Sequence, residues 1–412
     1  MIFKTLTINK WKQFESVNIE FHERITILTG ANGSGKTTIL HLLARQFGWD
    51  FKELATPAKD ISSGKIKFFA RWFKKDLNII DDNVIGKISY DNGNVAELII
   101  NHNETAKYDI EFRYNPVQKP NEKVKGLNIL SHRNVFKYQE VPTVSTQKRG
   151  KESAYQLAEQ NTKQETLQTG YFEHKAINYY IKETLLNWAM GGSGNEFIQP
   201  DAELRSNFID FQEKLRLLIP KNIGFKEISI RNFEIVLSTD SGDFMIDSVS
   251  GGLASIIDLC WQIFNFTEST KKYIVLIDEI ENHLHAGMQR SILPDLIKAF
   301  PNVQFIVSTH SPLVVASVKD SNVYAFRYNE ENRVYSEKLD LVNKARTASE
   351  ILSEVLGVPF TMPIWAEDKL KEIVNKYKVQ RLSEETFESM RTEFKENGLE
   401  SLMPIAIQEV IE

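Results

Sequence analysis

The stretch Gly30-Ala31-Asn32-Gly33-Ser34-Gly35-Lys36-Thr37-Thr38 fills every position of the phosphate-cradling pattern G-x-x-x-x-G-K-[ST], directly after the apolar run Ile25-Thr26-Ile27-Leu28. Glycines at 30, 33 and 35 let the backbone curl with its N–H groups inward, and a helix starting near Lys36 turns its positive dipole end toward the phosphates. Asn32, Gly33, Ser34, Gly35, Lys36, Thr37 and Thr38 are therefore the candidate nucleotide-binding residues. Lys36 is expected to reach the β- and γ-phosphates and Thr37 to ligate magnesium, which makes ATP and Mg2+ the expected cofactors.

A second half of the site stands late in the chain. Tyr273-Ile274-Val275-Leu276-Ile277-Asp278-Glu279 is a short apolar run ending in two carboxylates, the pattern of a strand buried on both faces that delivers acidic groups to a sheet's carboxyl edge. Asp278 is the candidate metal ligand with Thr37, and Glu279 the candidate catalytic base toward an attacking water. Ser248-Val249-Ser250-Gly251-Gly252-Leu253 precedes a helically spaced apolar stretch, a second helix N-terminus suited to an anion. One P-loop already covers one face of a triphosphate. Ser250, Gly251 and Gly252 are thus expected to act in trans, on a nucleotide held by another copy. Gln304-Phe305-Ile306-Val307-Ser308-Thr309 reads as another buried strand, and His310 after it is the second candidate catalytic residue, a sensor of the γ-phosphate.

In this order the motifs resemble ABC-type ATPases of the SMC, RecF and OLD branch. Gly30 to Thr38 matches the Walker A motif, Val249 to Gly252 the signature, Ile274 to Glu279 Walker B, and Thr309-His310 the switch histidine; Glu281-Asn282-His283-Leu284-His285 matches this branch's loop after Walker B. The resemblance covers about the first 55 and last 190 residues well and the middle weakly. It implies a nucleotide-sandwich dimer, and it implies a glutamine after a first-lobe strand. Leu127-Asn128-Ile129-Leu130 reads as that strand, yet Ser131-His132-Arg133 follows it and Gln139 lies further on. Ser131 and Arg133 are the candidate substitutes, with a surface ion pair as the other reading of Arg133. His283 and His285 lack the carboxylate or cysteine company of a metal pair, so no metal is assigned to them.

The expected fold class is α/β: an ABC-ATPase head with a mixed sheet lobe around the P-loop helix, an antiparallel β sub-lobe, a helical insertion and a helical C-terminal tail. Alternating runs around Ile88-Ser89-Tyr90 and Ala96-Glu97-Leu98-Ile99-Ile100, broken by Asp91-Asn92-Gly93-Asn94, predict an antiparallel hairpin. Tyr179 to Trp188 and Phe208 to Leu218 have helical apolar spacing around a Gly191-Gly192-Ser193-Gly194 break. Strands are expected again at 228–230 and 233–237, edge strands at Val323 to Arg327 and Val334 to Lys338, and helices near 347–356, 367–377 and 383–397. The expected divisions are 1–150 for the N-terminal lobe, 151–222 for the insertion, 223–345 for the C-terminal lobe and 346–412 for the tail.

Composition bounds the rest. The chain has 412 residues, 42% hydrophobic and 25% charged, with a net charge of −5, so any nucleic-acid contact needs a local patch. Two short basic stretches offer one: Lys148-Arg149-Gly150-Lys151, in what reads as a flexible connection, and Lys74-Lys75 after an aromatic run. The single cysteine, Cys260, excludes an internal disulfide and suits a reducing cytoplasm. No basic-then-apolar leader opens the sequence and no apolar run nears membrane-spanning length, so a cytoplasmic protein without membrane contact is expected.

The tail holds about 65 residues of helical pattern, too few for the TOPRIM nuclease of many OLD-like proteins. The resemblance therefore implies a nuclease or toxin supplied by a separate effector protein, as in ATPase subunits of bacterial anti-phage systems such as Septu, with the chain itself a homodimer or higher homo-oligomer. The Gly357 to Trp365 link, rich in large apolar groups, reads either as packing onto the ATPase body or as a docking strip. Two other readings stand beside this one: a RecF-like repair ATPase stimulated by DNA, and an ATP-dependent scaffold with little turnover.

Overall fold

The computed structural model describes residues 1–59, 64–69, 84–100, 106–115, 123–133, 135–167, 175–266, 272–340, 347–356, 363–378, 384–404 and 406–407. Lys74-Lys75 and most of the Gly357 to Trp365 link lie outside them.

Among the described residues there are eighteen strands: β1 Phe3–Trp11, β2 Phe14–Glu20, β3 Ile25–Gly30, β4 Glu53–Leu54, β5 Thr56–Lys59, β6 Ile66–Phe69, β7 Val84–Tyr90, β8 Val95–Ile100, β9 Lys107–Tyr108, β10 Ile110–Asn115, β11 Gly126–Ile129, β12 Phe225–Arg231, β13 Glu234–Thr239, β14 Gly242–Met245, β15 Tyr273–Ile277, β16 Val303–Thr309, β17 Asn322–Tyr328 and β18 Val334–Lys338. Eleven form one mixed sheet in the order β10-β8-β7-β1-β2-β18-β17-β3-β16-β15-β11.

The sequence pattern explains the two halves of this sheet. β3, β15 and β16 are buried at every position, as continuous apolar runs must be where both faces are covered, and with β11 they pair in parallel. β1 and β2 instead alternate, burying Phe3, Leu6, Ile8 and Trp11, then Phe14, Val17 and Ile19. They continue antiparallel through β7, β8 and β10. The predicted hairpin is β7–β8, and the antiparallel sub-lobe is thus a wing of the main sheet.

One expectation is corrected. β17 and β18 are interior strands, not edges: β17 lies between β3 and β18, and β18 pairs with β2 through Val334 opposite Phe14. Val323, Tyr324, Ala325 and Phe326 are all buried, which a two-sided neighbour requires and an exposed edge does not.

The helices are α1 Lys36–Ala44, α2 Lys151–Leu167, α3 Ile177–Ser193, α4 Ala202–Leu218, α5 Gly251–Phe266, α6 Ala286–Ala299 and the short α7 Pro312–Val315. α1 packs under β3, β11, β15 and β16, directly after the P-loop. The inserted helices α2, α3 and α4 all pack on α5. Their contact is aromatic: Trp188 of α3 lies 5.4 Å from Trp261 of α5, and Phe211 of α4 meets Trp261 edge-on at 5.1 Å. A small antiparallel sheet, β12-β13-β14, leads into α5.

The polar stretch before α2 is also pinned rather than flexible. Asn187 donates to the carbonyls of Ser145 and Gln147, and Trp188 Nε1 to that of Arg149. Its basic groups are paired: Lys148 with Asp201 and Glu203, Arg149 with Glu183, while Lys151 sits half-buried over the Phe264 ring. Residues Met1–Ala348 form one compact unit and Ser349–Glu412 a second. The second has its own core, in which α8 Ile364–Lys378 and α9 Glu384–Glu396 bury Leu370, Ile373, Tyr377, Met390 and Phe394. Among the described residues, no helix is long and apolar enough to cross a membrane.

Candidate nucleotide site

The carboxyl ends of β3, β16, β15 and β11 lie side by side, and each delivers part of one site: the P-loop after β3, His310 after β16, Asp278 and Glu279 after β15, and Ser131 and Arg133 after β11.

The P-loop needs its glycines. Gly30 has φ +137° and Gly35 φ +93°; a Cβ on Gly30 would lie 2.5 Å from the Phe326 carbonyl, and one on Gly35 2.4 Å from Phe14 Cζ. Asn32, Gly33 and Thr37 are exposed at the mouth, while Thr38 is half-buried. Lys36 is buried and folds its Nζ back onto the carbonyls of Gly30 (2.9 Å) and Ala31 (3.1 Å). Burial pulls its pKa down to about 8 despite the nearby carboxylates of Asp278, Glu279 and Glu281. Ser34 Oγ is buried with no hydrogen-bond partner in the protein.

Across the loop, Thr37 Oγ1 donates to the buried Asp278 carboxylate at 3.0 Å. A glycine-curled loop, an orphaned hydroxyl, a desolvated ammonium and a hydroxyl against a carboxylate suit a polyphosphate with a hard divalent cation. Asp278 is oriented by Ser308, whose hydroxyl donates to Oδ1 while its oxygen accepts the Glu279 N–H at 2.7 Å. Sequence reasoning passed over Ser308. A hydroxyl at the end of an otherwise apolar strand run was the available signal.

Glu279 is held at φ +45°, a left-handed conformation costly for a side chain with a Cβ and frequent at functional sites. Its partly exposed carboxylate accepts from Asn282 Nδ2 (2.8 Å) and stands 3.9 Å from His310 Nε2. The His310 backbone N–H donates to Glu281. Burial, then the Lys36 charge, lower the His310 pKa below its ordinary value, so the ring is neutral at pH 7.

Arg133 is no surface residue. It is 7% exposed, and it donates to Ser255 Oγ (2.7 Å) and to the carbonyls of Glu279, Ile280 and Asn282 (3.2–3.3 Å). Burial lowers its pKa to about 10, which leaves it a cation. The Ser131 carbonyl accepts from Asn282 Nδ2. Gln139 points elsewhere: its Oε1 accepts the Ala176 N–H and its carbonyl accepts from Lys182.

Ser250 opens α5, its hydroxyl accepting from the Leu253 N–H at 3.4 Å. Ser250 and Gly251 are exposed and Gly252 half-buried, the last packed so that a Cβ would come 2.9 Å from the His283 carbonyl. The turn before Ser250 is anchored by buried Lys182 of α3, which pairs with Asp247 (2.7 Å) and Glu234 (2.8 Å). His285 caps α6, and among the described residues no cluster of His, Cys, Asp or Glu suits a metal ion on its own.

A protein-family profile described as "AAA domain, putative AbiEii toxin, Type IV TA system" matches residues 25–316, which hold the whole of this site and well over half of the chain. The chain belongs to this AAA family. It is 22% identical over 388 residues to the "Septu protein PtuA" of Bacillus thuringiensis, covering 89% of this chain and 87% of that one. Over 105 residues it is 35% identical to the "Retron Ec83 probable ATPase" of Escherichia coli, across 26% of this chain and 18% of that one. Among solved structures it is similar to the SMC head domain from Thermotoga maritima, with TM-score 0.44 and 13% identity over 82% of this chain and 100% of that one. The site thus lies within an AAA domain whose sequence relatives include a Septu PtuA protein and a probable ATPase of a retron.

Proposed function

We propose that the protein binds and hydrolyses ATP in an ABC-type nucleotide-sandwich dimer, in the cytoplasm, and that the dimer cycle regulates a separate effector, a nuclease or toxin, in bacterial anti-phage defence. The observation that carries this reading is the convergence of Lys36, Thr37, Asp278, Glu279 and His310 at one edge of adjacent strands. Lys36 and the P-loop amides hold the phosphates. Thr37 and Asp278 offer oxygen ligands to magnesium, which when bound offsets charge on the phosphates. Glu279 accepts a proton from the attacking water; its left-handed backbone and Asn282 fix where the carboxylate points. His310 hydrogen-bonds the γ-phosphate.

The exposure of Ser250 and Gly251 at the start of α5 supports the role in trans, because most of the helix behind them is buried in the core and only its N-terminus is open to a partner. The names of the Septu and retron relatives support the defence context. The pairing of Lys148 and Arg149 with acids removes them as a phosphate-binding patch, which weighs against a DNA-stimulated repair enzyme.

Glu279→Gln tests the reading. The amide keeps the shape but takes no proton, so turnover should fall about 100-fold or more and ATP should convert the variant to a stable dimer by light scattering. A mass unmoved by ATP refutes the sandwich.

A further inference from the structure

Two elements of the site have different clients in the proposed dimer. The turn from Asp278 to Asn282 serves the nucleotide on its own P-loop, whereas α5 carries the Ser250 cap that faces a partner's nucleotide. Arg133 is bonded to both. Three of its acceptors are main-chain carbonyls of the Walker B turn and the fourth is the Ser255 hydroxyl, five residues into α5. Ser255 also donates to the Asn282 carbonyl at 3.4 Å. Asp258, fully buried on the same helix, lines with Arg133 a chamber of about 30 Å³ and supplies the opposing charge.

We propose that Arg133 is a positioning residue that fastens the Walker B turn to the signature helix of its own protomer, so that nucleotide bound at the P-loop stiffens the surface offered to the partner. The inference deepens the function proposed above. The bonded path is continuous: Thr37 holds Asp278, the next residue's carbonyl is held by Arg133, and Arg133 holds Ser255 in α5. Only a guanidinium reaches several acceptors in one plane with a charge that persists when buried. Its bonds are to main-chain oxygens and a hydroxyl rather than to the Thr37–Asp278 pair. Its part is therefore mechanical and distinct from that of a glutamine touching magnesium.

The test is amide hydrogen exchange with and without ATP-magnesium, at a protein concentration where light scattering gives a monomer. In wild type, ATP should slow exchange at least about fivefold both in α1 and in α5. In Ser255→Ala, which cuts only the link to α5, the slowing in α1 should remain and that in α5 should vanish. Arg133→Lys, which keeps the charge but not the fork, should behave alike. A merely structural role would speed α5 exchange equally with and without nucleotide and leave the ATP-dependent ratio intact. Undiminished α5 slowing in both variants, or none in wild type, overturns the proposal. Mass measured at higher concentration judges the sandwich separately.

Discussion

Raising pH from 7 to 9 should weaken ATP binding about tenfold through one side chain. In the nucleotide-free protein the Lys36 ammonium is desolvated and its pKa is about 8, whereas beside a bound triphosphate the charged form is strongly favoured. The protonated fraction of the free protein falls from about nine-tenths at pH 7 to about one-tenth at pH 9, and the dissociation constant rises in proportion. The sign follows from proton count. The complex holds a proton that the free protein lacks above pH 8, so binding takes one up and affinity is fully present only below that pH. Folding responds in the opposite sense. The unfolded lysine near 10.5 binds more protons than the folded one near 8, so stability of the nucleotide-free protein rises across that window, by up to about 3 kcal/mol. Calorimetric titration of ATP in buffers of differing ionisation enthalpy reads the proton directly, and Lys36→Met supplies the folding comparison. A dissociation constant flat from pH 7 to 9, or a proton released, refutes the argument.

Further substitutions separate the site from its frame. Lys36→Ala should abolish ATP binding while leaving the melting temperature of the nucleotide-free protein level or higher, because it removes a buried charge; equilibrium dialysis and thermal melts check both. Gly35→Ala places a Cβ 2.4 Å from Phe14 at a positive φ, and should cost about 1–3 kcal/mol in denaturant unfolding and lose nucleotide binding. Trp188→Ala, in the aromatic contact between α3 and α5, should cost about 3–5 kcal/mol yet leave ATP affinity within twofold wherever the protein stays folded. Lys182→Met strands the buried Asp247 carboxylate just before the signature. It should destabilise by about 3–5 kcal/mol, with Lys182→Met/Asp247→Leu recovering most of the loss.

What the sequence disclosed and what it hid differ by the range of the interaction. The P-loop, the Asp278-Glu279 pair and the capped start of α5 are local devices, in which chemistry and backbone conformation are set within a few residues, and each lies where its pattern puts it. The buried runs of β3, β15 and β16 were equally readable, since two-sided burial leaves its mark on every position. β17 looked like an edge because nothing within it records that β18 returns to pair with β2. Lys148 read as part of a basic patch on a flexible connection because its partners, Asp201 and Glu203, stand at the start of α4, about fifty residues further on. Arg133 was the hardest to place, as most of its acceptors are carbonyls far along the chain, and a main-chain acceptor carries no residue identity at all.

That last point bears on how the two lobes of such a site come to be coupled. A side chain gripping carbonyls is indifferent to which residues carry them, so the Walker B turn can vary at Ile280 and Asn282 without losing its tether, provided its backbone path is kept. The path is kept by Glu279 in a left-handed conformation whose N–H is tied to Ser308, the same hydroxyl that orients Asp278. The proposed catalytic carboxylate and the proposed tether to α5 therefore share one strained turn. Thr37, Asp278, Ser308, the Glu279 backbone and Arg133 form one continuous chain of hydrogen bonds and covalent links, so the proposed coupling needs no other route between the P-loop and α5.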